Sequence, residues 1–132
     1  MSYKKLTDLG KSSRETFEEM KETYNVVPEI TTLEDKQSLI MNNKVVVVDV
    51  YADWCGPCQT AAPMFAQLYD KYKDLCKLVK ENVDLRLSPT VHVIPTFQIY
   101  VHGKLKSQIT GANLEDVEKS ILDNLNAEPP KK

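Results

Sequence analysis

From Lys44 to Ala52 the chain is apolar without alternation: Val45-Val46-Val47-Val48, then Asp49, then Val50-Tyr51-Ala52. A strand with one wet face alternates apolar and polar residues. A continuous β-branched run instead marks a strand covered on both faces, which requires helices above and below the sheet. Asp49 is the anomaly in this run, because carboxylates are rarely buried without a partner. It can be a solvated strand end or a local cap. With Val48 and Val50 on either side it is read as a buried carboxyl.

The run leads straight into Trp54-Cys55-Gly56-Pro57-Cys58. A segment of helical pattern follows, from about Gln59 to Lys73, with Phe65, Leu68, Tyr69 and Tyr72 as its apolar stripe and Pro63 bending it. Two cysteines three apart at a strand-to-helix junction form a dithiol that can close into a small disulfide ring. The unpaired N–H groups and partial positive charge of the helix start favour a thiolate on Cys55, the reactive form of cysteine. Cys58 falls in the first helical turn, where its sulfur faces inward and can attack Cys55. A zinc site would need a second pair of ligands, and only Cys76, His92 and His102 remain. A structural disulfide suits a secreted chain, yet Met1-Ser2-Tyr3-Lys4-Lys5 opens no apolar signal core. A reducing, cytosolic setting is therefore expected, where such a pair is redox-active.

The length of 132 residues fits one domain. A formal net charge of -2 offers no basic surface for nucleic acid, and no apolar run reaches membrane-spanning length.

Outside the centre the pattern is αβ throughout. Ser12-x-x-Glu15 opens a short amphipathic helix over 13–24, read as an extension that packs on the domain, with a partner surface as the functional alternative. Asn25 to Ile30 reads as an edge strand because it contains Pro28. Thr31-x-x-Glu34 opens a helix to about Met41. Cys76 to Val83 is the next strand, with Cys76 as an inert buried thiol. Strands Thr96 to Val101 and Lys104 to Thr110 flank a His102-Gly103 turn, and a final helix begins at Asn113 with Leu114, Val117, Ile121, Leu122 and Leu125 as its stripe. The tail 127–132 is expected to be disordered.

Val48-Asp49, Trp54-Cys55-Gly56-Pro57-Cys58, Pro63, Ile94-Pro95-Thr96, Gly103 and Gly111 together resemble the thioredoxin family over roughly Asn25 to Asn126. The resemblance implies the thioredoxin fold, an α/β mixed central sheet with helices on both faces. It places the family's buried acid at Asp49 and a neighbouring lysine at Lys80, which on residues alone could equally be a surface lysine. It implies a cis bond at Ile94–Pro95, facing the dithiol, and a substrate groove of Trp54, Gly56, Pro57, Ile94, Pro95, Gly111 and Ala112. The chain departs from the family between Leu85 and Thr90, where about one helical turn is missing and Pro89 limits what remains.

Thiol–disulfide exchange follows, with Cys55 attacking and Cys58 resolving. Gly56 and Pro57 bring no charge between the cysteines, which points to a reductant rather than an oxidase or isomerase. Those two activities and a non-catalytic adaptor are the alternatives. The implied partners are disulfide-containing proteins and a thioredoxin reductase as donor, for a monomer whose only redox group is the Cys55–Cys58 disulfide, with no other cofactor and no metal.

Overall fold

The computed structural model describes residues Tyr24 to Asn126, so the helix expected over 13–24, apart from Tyr24, and the tail 127–132 lie outside the described residues. The elements are β1 (Glu29–Ile30), α1 (Leu33–Asn42), β2 (Val45–Tyr51), α2 (Gly56–Tyr72), β3 (Lys77–Asn82), a 3-10 turn (Val83–Leu85), β4 (Thr96–Val101), β5 (Lys104–Thr110) and α3 (Leu114–Asn124). They form one five-stranded sheet in the order β1-β3-β2-β4-β5. β1, β3 and β2 are parallel, while β4 and β5 are antiparallel to their neighbours. This is the mixed sheet expected from the sequence. A parallel step needs a crossover, and α2 supplies it between β2 and β3.

β2 is central, and all seven of its residues are buried. Its side chains alternate between two cores. Val45 and Val47 join Phe65, Leu68 and Tyr72 of α2 and Leu114, Val117 and Ile121 of α3. Val46, Val48 and Val50 join Ile40 of α1 with Leu87, Val91 and Ile94 of the chain between β3 and β4. The stacked Phe65 and Phe97, with ring centroids 5.7 Å apart, are fully buried at the middle of the first core. Truncating either to alanine removes about 3–5 kcal/mol.

Several elements differ in detail from the sequence reading. The edge strand contracts to Glu29–Ile30, just after Pro28, whose carbonyl still accepts from Lys80 N–H at 2.9 Å. The cap of α1 is Thr32, not Thr31; its hydroxyl accepts from Asp35 N–H at 3.1 Å. α2 starts at Gly56, three residues before the expected Gln59, because Cys55 itself caps it. In α3, Leu122 is exposed and Asn124 takes the buried position, one turn on from Ile121. His102 and Gly103 both have positive φ, as a tight turn between β4 and β5 requires. A Cβ on Gly103 would also meet the sulfur of Met41 at 3.0 Å.

The shortened stretch after β3 carries only the 3-10 turn and a loop. Beneath it lies a buried polar cluster that the sequence did not reveal. Lys36 of α1 and Glu81 of β3 form an ion pair at 2.6 Å. Ser88 of the loop accepts from Lys36 Nζ and donates to Glu81, each at 2.7 Å, and Gln98 of β4 accepts from Lys36 at 2.9 Å. The loop thus covers the sheet with Leu87, Val91 and Ile94 and is anchored as well by charge and hydrogen bonds at Ser88.

Candidate active site

The C-terminal end of β2 delivers the chain to Cys55. Cys55 has extended backbone dihedrals (φ −97°, ψ 114°), and its Sγ accepts the Cys58 backbone N–H at 3.1 Å. The sulfur therefore occupies the place where Ser, Thr or Asp caps other helices. Gly56 and Pro57 form the first helical positions, where a missing N–H leaves no hydrogen bond unmade. Cys55 and Cys58 are joined as a disulfide with Cα atoms 5.2 Å apart, and only 5% of each residue is exposed. Cys55 Sγ lies 3.8 Å from the Ile94 carbonyl oxygen. Ile94 packs against the two cysteines, Tyr51 and Ala52. Its peptide bond to Pro95 is cis. Gly111, at φ 80°, donates its N–H to the Pro95 carbonyl at 2.8 Å. The start of β4 and the end of β5 are thereby tied together near the dithiol. Ala112 follows, exposed. Trp54 is 70% exposed and its Nε1–H donates to Asp84 Oδ2 at 3.1 Å. Asp84, in the 3-10 turn, is a site neighbour that the sequence did not single out.

Asp49 is 1% exposed, on the α2 side of β2. Burial pushes its carboxyl up to about 7, against the opposing effects of the Tyr24 hydroxyl and the Lys80 charge. Lys80 is itself buried, paired in register with Asp49 across β2 and β3, so it is no ordinary surface lysine. Burial holds its ammonium below the usual lysine range. Its Nζ donates to the Tyr24 carbonyl at 2.9 Å. The Tyr24 hydroxyl donates to Asp49 Oδ2 at 2.9 Å. No sequence signal would have found this contact, because Tyr24 is 25 residues from Asp49 in a different segment. A cavity of about 550 Å³ lies beside Cys58, lined among others by Tyr24, Glu29, Tyr51, Asp53 and Lys80.

Cys76 is buried and free, and its thiol is pushed up to about 11 by burial, consistent with an inert core residue. His92 is exposed. Among the described residues no cluster of three or more His, Cys, Asp or Glu is placed to hold a metal ion. Among them, too, no helix is long and apolar enough to cross a membrane.

A family description named Thioredoxin matches residues 26–124. The chain belongs to the thioredoxin family. It is 36% identical over 104 residues to Thioredoxin-1 of Schizosaccharomyces pombe, covering 76% of this chain and all of that one. It is 35% identical over 105 residues to the mitochondrial Thioredoxin-3 of Saccharomyces cerevisiae, covering 76% of this chain and 82% of that one. The crystal structure of the oxidised form of that yeast protein superimposes with a TM-score of 0.70, over 76% of this chain and 98% of the other. As a thioredoxin with a Cys55–Cys58 disulfide, the chain is a thiol–disulfide oxidoreductase of the protein-disulfide reductase type. Its fold is the thioredoxin fold expected from the sequence.

Proposed function

We propose that Cys55 attacks and Cys58 resolves, with Asp49 as the base that frees Cys58. In the reduced protein the Cys55 sulfur at the helix cap is stabilised as a thiolate by the Cys58 N–H and the helix field. It attacks one sulfur of a substrate disulfide, whose S–S bond breaks. The departing substrate sulfur leaves as a thiolate and takes a proton from solvent, which received one when Cys55 ionised. Asp49 then takes the proton of the Cys58 thiol, and the new thiolate attacks Cys55 Sγ. The Cys55–substrate bond breaks, and the second substrate sulfur recovers the proton. The substrate gains two protons and two electrons, and the protein is left with the Cys55–Cys58 disulfide. A carboxyl near 7 suits proton uptake and return at neutral pH. The cavity beside Cys58 is large enough for several waters and reaches Tyr24 and Lys80, the hydrogen-bond partner and the sheet neighbour of Asp49.

Trp54, Gly56, Pro57, Ile94, Pro95, Gly111 and Ala112 are the groove for the substrate, which pairs its main chain there and adds small apolar contacts. Lys80 supports the acid with its charge and also holds Tyr24. We infer a reductant working as a monomer, since one chain supplies every member of the site. A thioredoxin reductase is the electron donor, disulfide-containing proteins are the acceptors, and the dithiol needs no cofactor. Residues 25–126 form the thioredoxin domain, preceded by the extension 1–24. We place the work in the cytosol, where a dithiol is kept reduced.

The observation that carries this reading is the Cys58 N–H held by Cys55 Sγ, which singles out one sulfur for the helix field. Reduction of insulin with NADPH and a thioredoxin reductase tests it. Turnover that is lost in Cys55→Ser supports the reading. A chain that oxidises reduced substrates but accepts no electrons from the reductase contradicts it.

A further inference from the structure

We propose that Tyr24 is the positioning residue of the buried acid: its hydroxyl holds Asp49 Oδ2 and so leaves Oδ1 as the proton acceptor for Cys58. The inference rests on Asp49 acting as the base, and it extends the site beyond the stretch matched to the family, which begins at residue 26. Tyr24 belongs to this chain's own N-terminal segment.

The geometry carries it. The Tyr24 hydroxyl donates to Oδ2 at 2.9 Å, while Oδ1 is buried with no hydrogen-bond partner. A buried carboxylate oxygen without a donor is costly, and such a group in a folded protein calls for an explanation. A vacant acceptor is what a proton from Cys58 needs. The phenol is held from several directions. Its ring meets Tyr51 edge-on at 6.0 Å and Phe65 at 6.5 Å. Lys80 Nζ sits 4.4 Å from the ring centroid and donates to the Tyr24 carbonyl at 2.9 Å. Lys80, the sheet neighbour of Asp49, thus makes its close contacts with Tyr24, while its charge also acts on the acid directly.

The other groups around the acid do not replace this donor. Tyr51, from β2, gives its hydroxyl proton to Glu29 of β1 at 2.7 Å. Asp53 and Cys58 line the cavity beyond; Phe97 of β4, the register partner of Asp49, and Phe65 of α2, which packs on Phe97 and Tyr24, are apolar. The phenol itself stays protonated across the working range, because burial and Asp49 both push it above the usual tyrosine value. It can therefore donate to Asp49 in either state of the acid, and it favours the charged one.

The test is the pH dependence of mixed-disulfide release in single turnovers, for wild type, Tyr24→Phe, Asp49→Asn and the double variant. Phenylalanine keeps the ring contacts and removes only the donor. Its apparent release pKa should rise by about one unit, the scale of a hydrogen bond to a charged group. In Asp49→Asn the titration should vanish, and adding Tyr24→Phe should change nothing more. The 13C carboxyl signal of Asp49, followed against pH, should show the same upward shift without reference to activity. An unshifted carboxyl and release pKa in folded Tyr24→Phe, with the titration still lost in Asp49→Asn, would overturn the role of Tyr24 and leave Asp49 as the base. A titration that survives in Asp49→Asn would overturn both.

Discussion

The backbone N–H of Cys58 donates to Cys55 Sγ at 3.1 Å, so one cysteine of the pair caps the helix that carries the other. The two sulfurs are thereby made unequal, although both residues are equally buried. One sits at the positive end of α2. The other lies in the first turn, against the cavity.

Alkylation of the reduced protein reads this inequality. At pH 7 a small haloacetamide should label Cys55 well before Cys58, and Cys76 last of all, since its thiol titrates at about 11. Mass spectrometry of peptides sampled with time gives the order. Equal labelling of Cys55 and Cys58 would show that the cap does not select a nucleophile.

Asp49 should cost stability at neutral pH. Its carboxyl is raised from 3.8 in the unfolded chain to about 7 in the folded one, so the folded state holds the proton more tightly. The cost is absent below about 3.8, grows between those values and is full above 7. Three units correspond to about 4 kcal/mol as an upper figure. Asp49→Asn should accordingly melt higher than wild type at pH 8, each kcal/mol raising Tm by roughly 4–8 °C. The gain should shrink toward pH 4. Melting curves across this range check it, and a variant that melts lower at every pH would make Asp49 a structural cap.

How much of this was visible in the sequence depended on whether the signal was local. The central strand, the dithiol, the buried acid and the cis Ile94–Pro95 bond stand on short contiguous stretches, and the structure places each as expected. The Lys36–Glu81 ion pair joins α1 to β3 across 45 positions, and no pattern around either residue marks it as buried. Lys36 even sits among the charges of a helix capped by Thr32, one residue past the capping-box threonine visible in the sequence. Tyr24 ends the amphipathic helix that the sequence suggests over 13–24, and spacing assigns its hydroxyl no partner. Long-range polar contacts depend on which faces the topology brings together, and periodicity does not carry that information.

The ion pair makes a third prediction. Lys36→Met leaves Glu81 buried without its cation, and should destabilise the fold by about 3–5 kcal/mol. Lys36→Met combined with Glu81→Leu should recover much of that loss, because an apolar pair of similar volume often matches a buried ion pair. Denaturant unfolding of the two variants measures it. Equal loss in single and double variants would place the stabilisation in the Ser88 and Gln98 hydrogen bonds rather than in the charges.

The most direct measurement is to trap the intermediate. Cys58→Ser keeps the attacking sulfur at the cap of α2 and removes the resolving one. Mixed with a disulfide-containing protein, it should accumulate a covalent adduct that dithiothreitol dissolves, and tryptic mass spectrometry should find the substrate on Cys55. Cys55→Ser should trap nothing. Adducts carried on Cys58 in Cys55→Ser, with none in Cys58→Ser, would reverse the roles of the two thiols and contradict the account.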